Sequence, residues 1–109
     1  MGAKTFNNQT GHDLNIEITV REGDDVGTAF AINNVFLSAN TNGQVVDYGD
    51  DNDPYLDGII AYAADDVNIT GEIYVYAKED SGDYSLNTND TVTFILQNNT
   101  IILTCTNSQ

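Results

Sequence analysis

The run Asp47-Tyr48-Gly49-Asp50-Asp51-Asn52-Asp53-Pro54-Tyr55-Leu56-Asp57-Gly58 places five carboxylates within eleven residues. Asp and Asn side chains in a flexible segment are oxygen donors. The hard divalent cation that suits them is calcium, which takes about six to eight oxygens at roughly 2.3 to 2.6 Å. The candidate ligands are Asp47, Asp50, Asp51, Asp53 and Asp57, joined by Asp24 and Asp25 from an earlier acidic segment. Magnesium and manganese take the same donors. The run is not an EF-hand: counted from Asp51, Leu56 stands where that loop needs Gly and Tyr62 where it needs Glu. A calcium site shared by several converging loops is the form that fits. The plainer role of these residues is to cap turns and keep the surface solvated.

Two tyrosines flank the acids. Tyr48 and Tyr55 each present an apolar ring with a polar tip, a combination favoured at binding surfaces, and they are the candidate platform for a sugar or peptide ligand. Pro54 stiffens this loop by biasing Asp53 towards extended backbone. Tyr74 and Tyr76 alternate with Val75 on a strand-like run and share a face with Glu72, which suits cross-strand packing or a sheet-to-sheet contact between copies.

Catalytic chemistry finds little support. Glycoside hydrolysis by paired carboxylates needs one of them held protonated in an apolar pocket, whereas these acids sit in turn sequences with few apolar neighbours, and Trp is absent. His12 is the sole histidine and lies in the turn Thr10-Gly11-His12-Asp13, with no nucleophile nearby in sequence. Cys105 alternates with Ile101 and Leu103, as a core thiol does. A lone cysteine also excludes an intramolecular disulfide and a cysteine-based zinc site. The expectation is a protein that is not an enzyme. Four N-x-T sequons, beginning at Asn8, Asn68, Asn89 and Asn98, carry little weight in a chain this rich in Asn and Thr.

Seventeen acids stand against Lys4, Arg21 and Lys78, a formal net charge of −14. Such a surface repels nucleic acid and anionic lipid headgroups, whose recognition needs Lys and Arg to displace counterions. The converse is open: the acids suit a basic protein partner, as in an inhibitor or immunity-type protein that masks a basic site on an enzyme or toxin. The sequence shows neither a signal-peptide stretch nor a run of about 18 apolar residues, so a soluble, cytoplasmic protein without a transmembrane segment is expected.

The elements that must position these groups are strands. Leu14, Ile16, Ile18 and Val20 alternate with Asn15, Glu17, Thr19 and Arg21, a half-buried strand with Arg21 on the wet face. Ala29 to Leu37 follows, carrying Phe30, Ile32, Val35 and Phe36, with Asn33-Asn34 as the site of a bulge. Asn42-Gly43 signals a hairpin that pairs this run with Gln44 to Tyr48. Further strands are expected at 59–62, 68–77, 91–96 and 100–106, the last two joined by a tight turn at Asn98-Asn99, with a short edge strand at 4–7. Between Ala77 and Thr91 there is room for a short strand or a helical turn around Tyr84-Ser85-Leu86. Seven to eight short strands in a single 109-residue domain predict an all-β fold, an antiparallel β-sandwich, with a small barrel as the alternative.

Antiparallel connectivity sorts the charge. The connections 22–28, 49–58 and 78–90 follow alternate strands and fall at one end of the sandwich. With Asp47 they hold twelve of the seventeen acids, so the molecule is expected to be electrically polarised and this end to be the binding end. Three functions compete: a binding module, calcium-dependent or carbohydrate-directed, that uses the acidic end; a masking inhibitor of a basic partner; and a self-assembling β protein whose contacts are tyrosines and strand edges.

Overall fold

The computed structural model describes residues 2–107. The chain forms strands β1 (Gly2–Gln9), β2 (Leu14–Glu22), β3 (Asp25–Leu37), β4 (Gln44–Tyr48), β5 (Leu56–Ala63) and β6 (Asp66–Tyr74), helix α1 (Ser81–Thr88), and strands β7 (Thr91–Gln97) and β8 (Thr100–Thr106). They build two four-stranded sheets, ordered β4-β1-β7-β8 and β3-β2-β5-β6. Their apolar faces meet as a sandwich, with Phe6, Leu14, Ile16, Ile18, Val20, Ile59, Val92, Phe94 and Ile101 in the core and the Phe6 and Phe94 rings edge to face at 5.3 Å. All pairings are antiparallel except β1 with β7, which run parallel. No helix among the described residues is long and apolar enough to cross a membrane.

Strict alternation in β2 does what the sequence implies: Leu14, Ile16, Ile18 and Val20 are buried and the residues between them are partly exposed. The turn between β7 and β8 uses Asn98 and Asn99 with φ of 52° and 60°, the left-handed pair that a two-residue hairpin with native twist requires. Residues 81–88 form the short helix that the 78–90 segment had room for, capped by Asp80, whose carboxylate accepts from the Asp83 N–H.

Four expectations are corrected. The segment at 4–7 belongs to an interior strand, β1, flanked by β4 and β7, and not to an edge. Asn42-Gly43 does not close a hairpin: β3 and β4 lie in different sheets, and β4 pairs with β1. The cause is a set of tethers that carry residues 38–43 across from one sheet to the other. The Asn8 carboxamide donates to the carbonyls of Leu37 and Ser38, the Asn8 N–H donates to the Thr41 carbonyl, and the Gly43 N–H donates to Asn7 Oδ1. This use also buries the Asn8 side chain, the first of the four sequons.

The third correction concerns β3. No bulge falls at Asn33-Asn34; the register with β2 is continuous from Leu37 to Ala31. Because Leu37 lies opposite Leu14 and Val35 opposite Ile16, the odd-numbered residues of β3 share the inner face with the buried residues of β2. Phe30, Ile32 and Phe36 are thereby turned outward, 50%, 54% and 59% exposed. The fourth is Arg21, expected in water and found 1% exposed.

Candidate functional site

Register slips put Arg21 inside. Between Val20 and Arg21 the pairing of β2 with β3 skips Phe30, and between Thr19 and Val20 its pairing with β5 skips Asp57. A bulge breaks the period of two, so two successive residues, Val20 and Arg21, both point inward. The same slip leaves Asp57 without a ladder partner, beside the guanidinium. Arg21 Nε donates to Asp57 Oδ1 at 2.7 Å. One terminal nitrogen donates to Asp24 Oδ1 at 2.7 Å; the other donates to the Leu56 carbonyl at 3.0 Å and to Asp83 Oδ1 at 2.9 Å.

The three connections that the chain path assigned to one end therefore meet, and they meet on Arg21. Asp24 comes from the turn after β2, Asp57 from the start of β5 and Asp83 from α1. Burial alone would lower the Arg21 pKa, but the bonds to Asp57, Asp83 and Asp24 outweigh it and raise the value above its ordinary level. For Asp83 burial pushes upward, and the Glu79 N–H, Arg21 and Asn87 together pull its pKa below the usual carboxylate value. Lys78 and Arg21 do the same for Asp24, whose Oδ2 lies 2.8 Å from the Lys78 ammonium.

The other acids mostly serve the backbone. Asp53, largely buried, accepts from the Gly23 N–H at 2.7 Å and so ties the acidic run to the β2–β3 turn. Asp57 Oδ2 accepts from the Gly27 N–H. Asp50 closes its own turn, accepting from the Asn52 and Asp53 N–H groups at 2.9 and 2.8 Å. Asp25 accepts from the Thr28 hydroxyl. Asp80 accepts from the N–H groups of Tyr76, Ala77 and Asp83, which holds its pKa below the usual range. Asp47 is exposed in β4 opposite Ala3, and Asp51 is exposed at the tip of the run. Among the described residues no three His, Cys, Asp or Glu side chains are grouped so as to hold a metal ion.

The two candidate tyrosines separate. Tyr48 is 6% exposed and belongs to the core, with the Lys4 ammonium 5.9 Å from its ring centroid, and burial raises its pKa to about 12. Lys4 is itself buried and donates to the Asn89 carbonyl. Tyr55 stays at the surface, its ring centroid 5.9 Å from Arg21 Cζ. Beside it opens a cleft of about 460 Å³ lined by Arg21, Asp24, Lys78, Asp83 and Tyr84 among others. His12 pairs with Asp65 at 3.1 Å at the opposite end. Cys105 packs against the core, and burial raises its pKa.

Sequence reasoning missed a second surface. Pairing registers lay out the outer face of the β3-β2-β5-β6 sheet in rows: Phe36, Asn15, Tyr62 and Thr70; Asn34, Glu17, Ile60 and Glu72; Ile32, Thr19, Gly58 and Tyr74. The Tyr74 ring lies over Gly58, where a Cβ would come within 2.4 Å of it, and its centroid is 6.3 Å from that of Tyr76. Partial burial and then the charges of Glu72 and Glu17 raise the Tyr74 pKa. The result is an exposed aromatic and aliphatic face with two carboxylates inside it. Its one sequence signal was Tyr74 and Tyr76 sharing a face with Glu72; the β3 contribution required the β2 register. No protein-family description, curated protein or solved structure matches this chain.

Proposed function

We propose that this chain is a non-catalytic binding module that docks a basic polypeptide on the outer face of its β3-β2-β5-β6 sheet. The observation that carries the reading is the exposure of Phe30, Ile32 and Phe36 along one strand, on the same face as Ile60, Tyr62 and Tyr74 and separated from them by Asn15, Glu17 and Thr19 of β2. Large exposed apolar side chains gathered on one sheet face mark an interaction site, and aromatic residues supply most of the affinity where they are desolvated. Glu17 and Glu72 flank Ile60 within that surface and set the sign of the partner. Of the three cations, Lys4 and Arg21 are buried and Lys78 is paired with Asp24, so the exterior is almost wholly anionic and steers basic proteins towards it. Masking a basic site on an enzyme or toxin is the biological form this reading takes most directly.

Amide-shift mapping tests it. A capped octapeptide of alternating lysine and valine, titrated into the labelled protein, is expected to move the resonances of Ile32, Phe36, Ile60, Tyr62 and Tyr74. Shifts concentrated at 49–58 and 78–88 would return the site to the acidic loops.

The cleft between Tyr55 and Tyr84 favours a second reading. Two exposed tyrosine rings beside Asp24, Lys78 and Asn87 suit a small polar ligand such as a sugar. Binding of an oligosaccharide panel that Tyr55→Ala abolishes would support it; no binding at millimolar sugar would remove it.

A further inference from the structure

β3 ends its sheet, and among the described residues its side away from β2 carries no strand. Its thirteen residues make it the longest strand of the fold, whereas β4, at the edge of the other sheet, has five. In an antiparallel ladder alternate residues turn their N–H and C=O groups away from the partner strand. Between Gly27, whose N–H donates to Asp57, and Leu37, whose carbonyl accepts from the Asn8 carboxamide, β3 therefore offers a row of donors and acceptors that face away from β2.

Edge strands are ordinarily blunted by Lys, Pro or inward-pointing charge. From Val26 to Leu37 β3 has none of these, its only charged residue being Asp25, the first; a bulge at Phe30 interrupts the strand and leaves Ala31 to Leu37 as its regular edge. The far side of the sandwich is closed differently. There β6 runs so near β8 that a Cβ on Gly71 would come within 1.8 Å of the Ile101 carbonyl oxygen. On the β3 side the inner face stays partly open: Ala29 is exposed, and Ala31, Asn33 and Val35 are only half-buried.

We infer that β3 accepts an extended segment of the basic partner as a fifth strand of its sheet, joined main chain to main chain. The inference rests on the docking reading for the chemistry of the partner and adds the mode of attachment. Strand addition gains affinity from the ladder and selectivity from alternate side chains. A segment alternating basic and apolar residues matches both: its apolar groups face the half-open inner side beside Ala31 and Val35, while its basic groups face outward towards Glu17, with Glu22 and Asp25 at the end of the edge. A second copy is the poorer occupant, because it carries −14 and offers the same carboxylates to themselves.

Hydrogen exchange on the full chain tests this, with the lysine-valine octapeptide and two versions of it N-methylated at odd or at even positions. The unmodified peptide is expected to slow exchange of alternate amides within residues 31–36, where the register is continuous, by about tenfold or more, and only one of the two N-methylated series is expected to lose binding. If both N-methylated peptides bind as well as the parent and β3 exchange is unchanged while Tyr62 and Tyr74 still shift, strand addition is overturned and face docking stands. If no peptide binds at millimolar concentration, both readings fail. Protection of β3 that grows with protein concentration in the absence of peptide would make the occupant a second copy and overturn the inference.

Discussion

Arg21 Nε and Asp57 Oδ1 lie 2.7 Å apart in the interior, at a point where the alternation of β2 alone would have sent the guanidinium into water. Two bulges on neighbouring strands make the contact possible, one turning Arg21 inward and the other freeing Asp57 from the ladder. One guanidinium thus holds three of the acidic end's carboxylates from within. A guanidinium suits this role because its rigid fork of donors reaches three carboxylates and a carbonyl at once.

Removing Arg21 should leave Asp57 and Asp83 desolvated without a counter-charge. Arg21→Ala is expected to cost about 3 to 5 kcal/mol, the range for breaking a buried pair from one side, a large share of a stability of roughly 5 to 15 kcal/mol. Arg21→Lys keeps the charge but loses the fork and should fall between. Urea midpoints measure both, and Asp57→Asn with Asp83→Asn in the Arg21→Met background should recover part of the loss.

Calcium should do little. Asp24, Asp57 and Asp83 are engaged by Arg21, and Asp50 and Asp53 accept backbone N–H groups. A cation entering there would have to displace these bonds, so about 5 mM calcium is expected to leave the melting temperature unchanged, whereas a bound ion would raise it by mass action.

Acid should unfold the loop end. Asp24, Asp80 and Asp83 have folded pKa values below the unfolded 3.8, held there by Lys78 and Arg21, by backbone N–H groups, and by Glu79 N–H, Arg21 and Asn87 against burial, respectively. For a depressed carboxylate the stabilisation is present above the unfolded pKa and lost as pH falls through the folded one. Urea midpoints should therefore drop below pH 3.8, and Arg21→Lys should shrink the drop.

Base should act through Tyr48. Its folded pKa, raised by burial to about 12 from 10.0, means stabilisation that is intact below pH 10 and lost as pH climbs to 12. Absorbance titration should show one tyrosine ionising near pH 12, and Tyr48→Phe should remove that step.

Parts of this fold were legible because they depend on near neighbours. Leu14 to Val20 alternates strictly, Asn98-Asn99 is a two-residue turn, and the gathering of Asp24, Asp57 and Asp83 follows from strand parity alone. Other parts depend on contacts distant in sequence. Asn42-Gly43 has hairpin chemistry, but Asn7 and Asn8 redirect the chain, a competition between a local turn and four long-range hydrogen bonds. Phe30, Ile32 and Phe36 read as core until the β2 register assigns their face. Arg21 looked wet because a bulge leaves no mark in a single strand's pattern. The available hint was compositional: a lone arginine at the end of an apolar strand, facing three acidic connections.

The central claim, that a basic partner docks on the sheet face and not on the acidic loops, is tested most directly by two charge-matched variants. Glu17→Gln with Glu72→Gln and Asp47→Asn with Asp51→Asn each remove two negative charges, one pair from the face and one from the loop end. Affinity for the lysine-valine octapeptide, measured by calorimetry at low salt, is expected to fall about fivefold or more in the first variant and less than about twofold in the second. A larger loss in the Asp47 and Asp51 variant would contradict it.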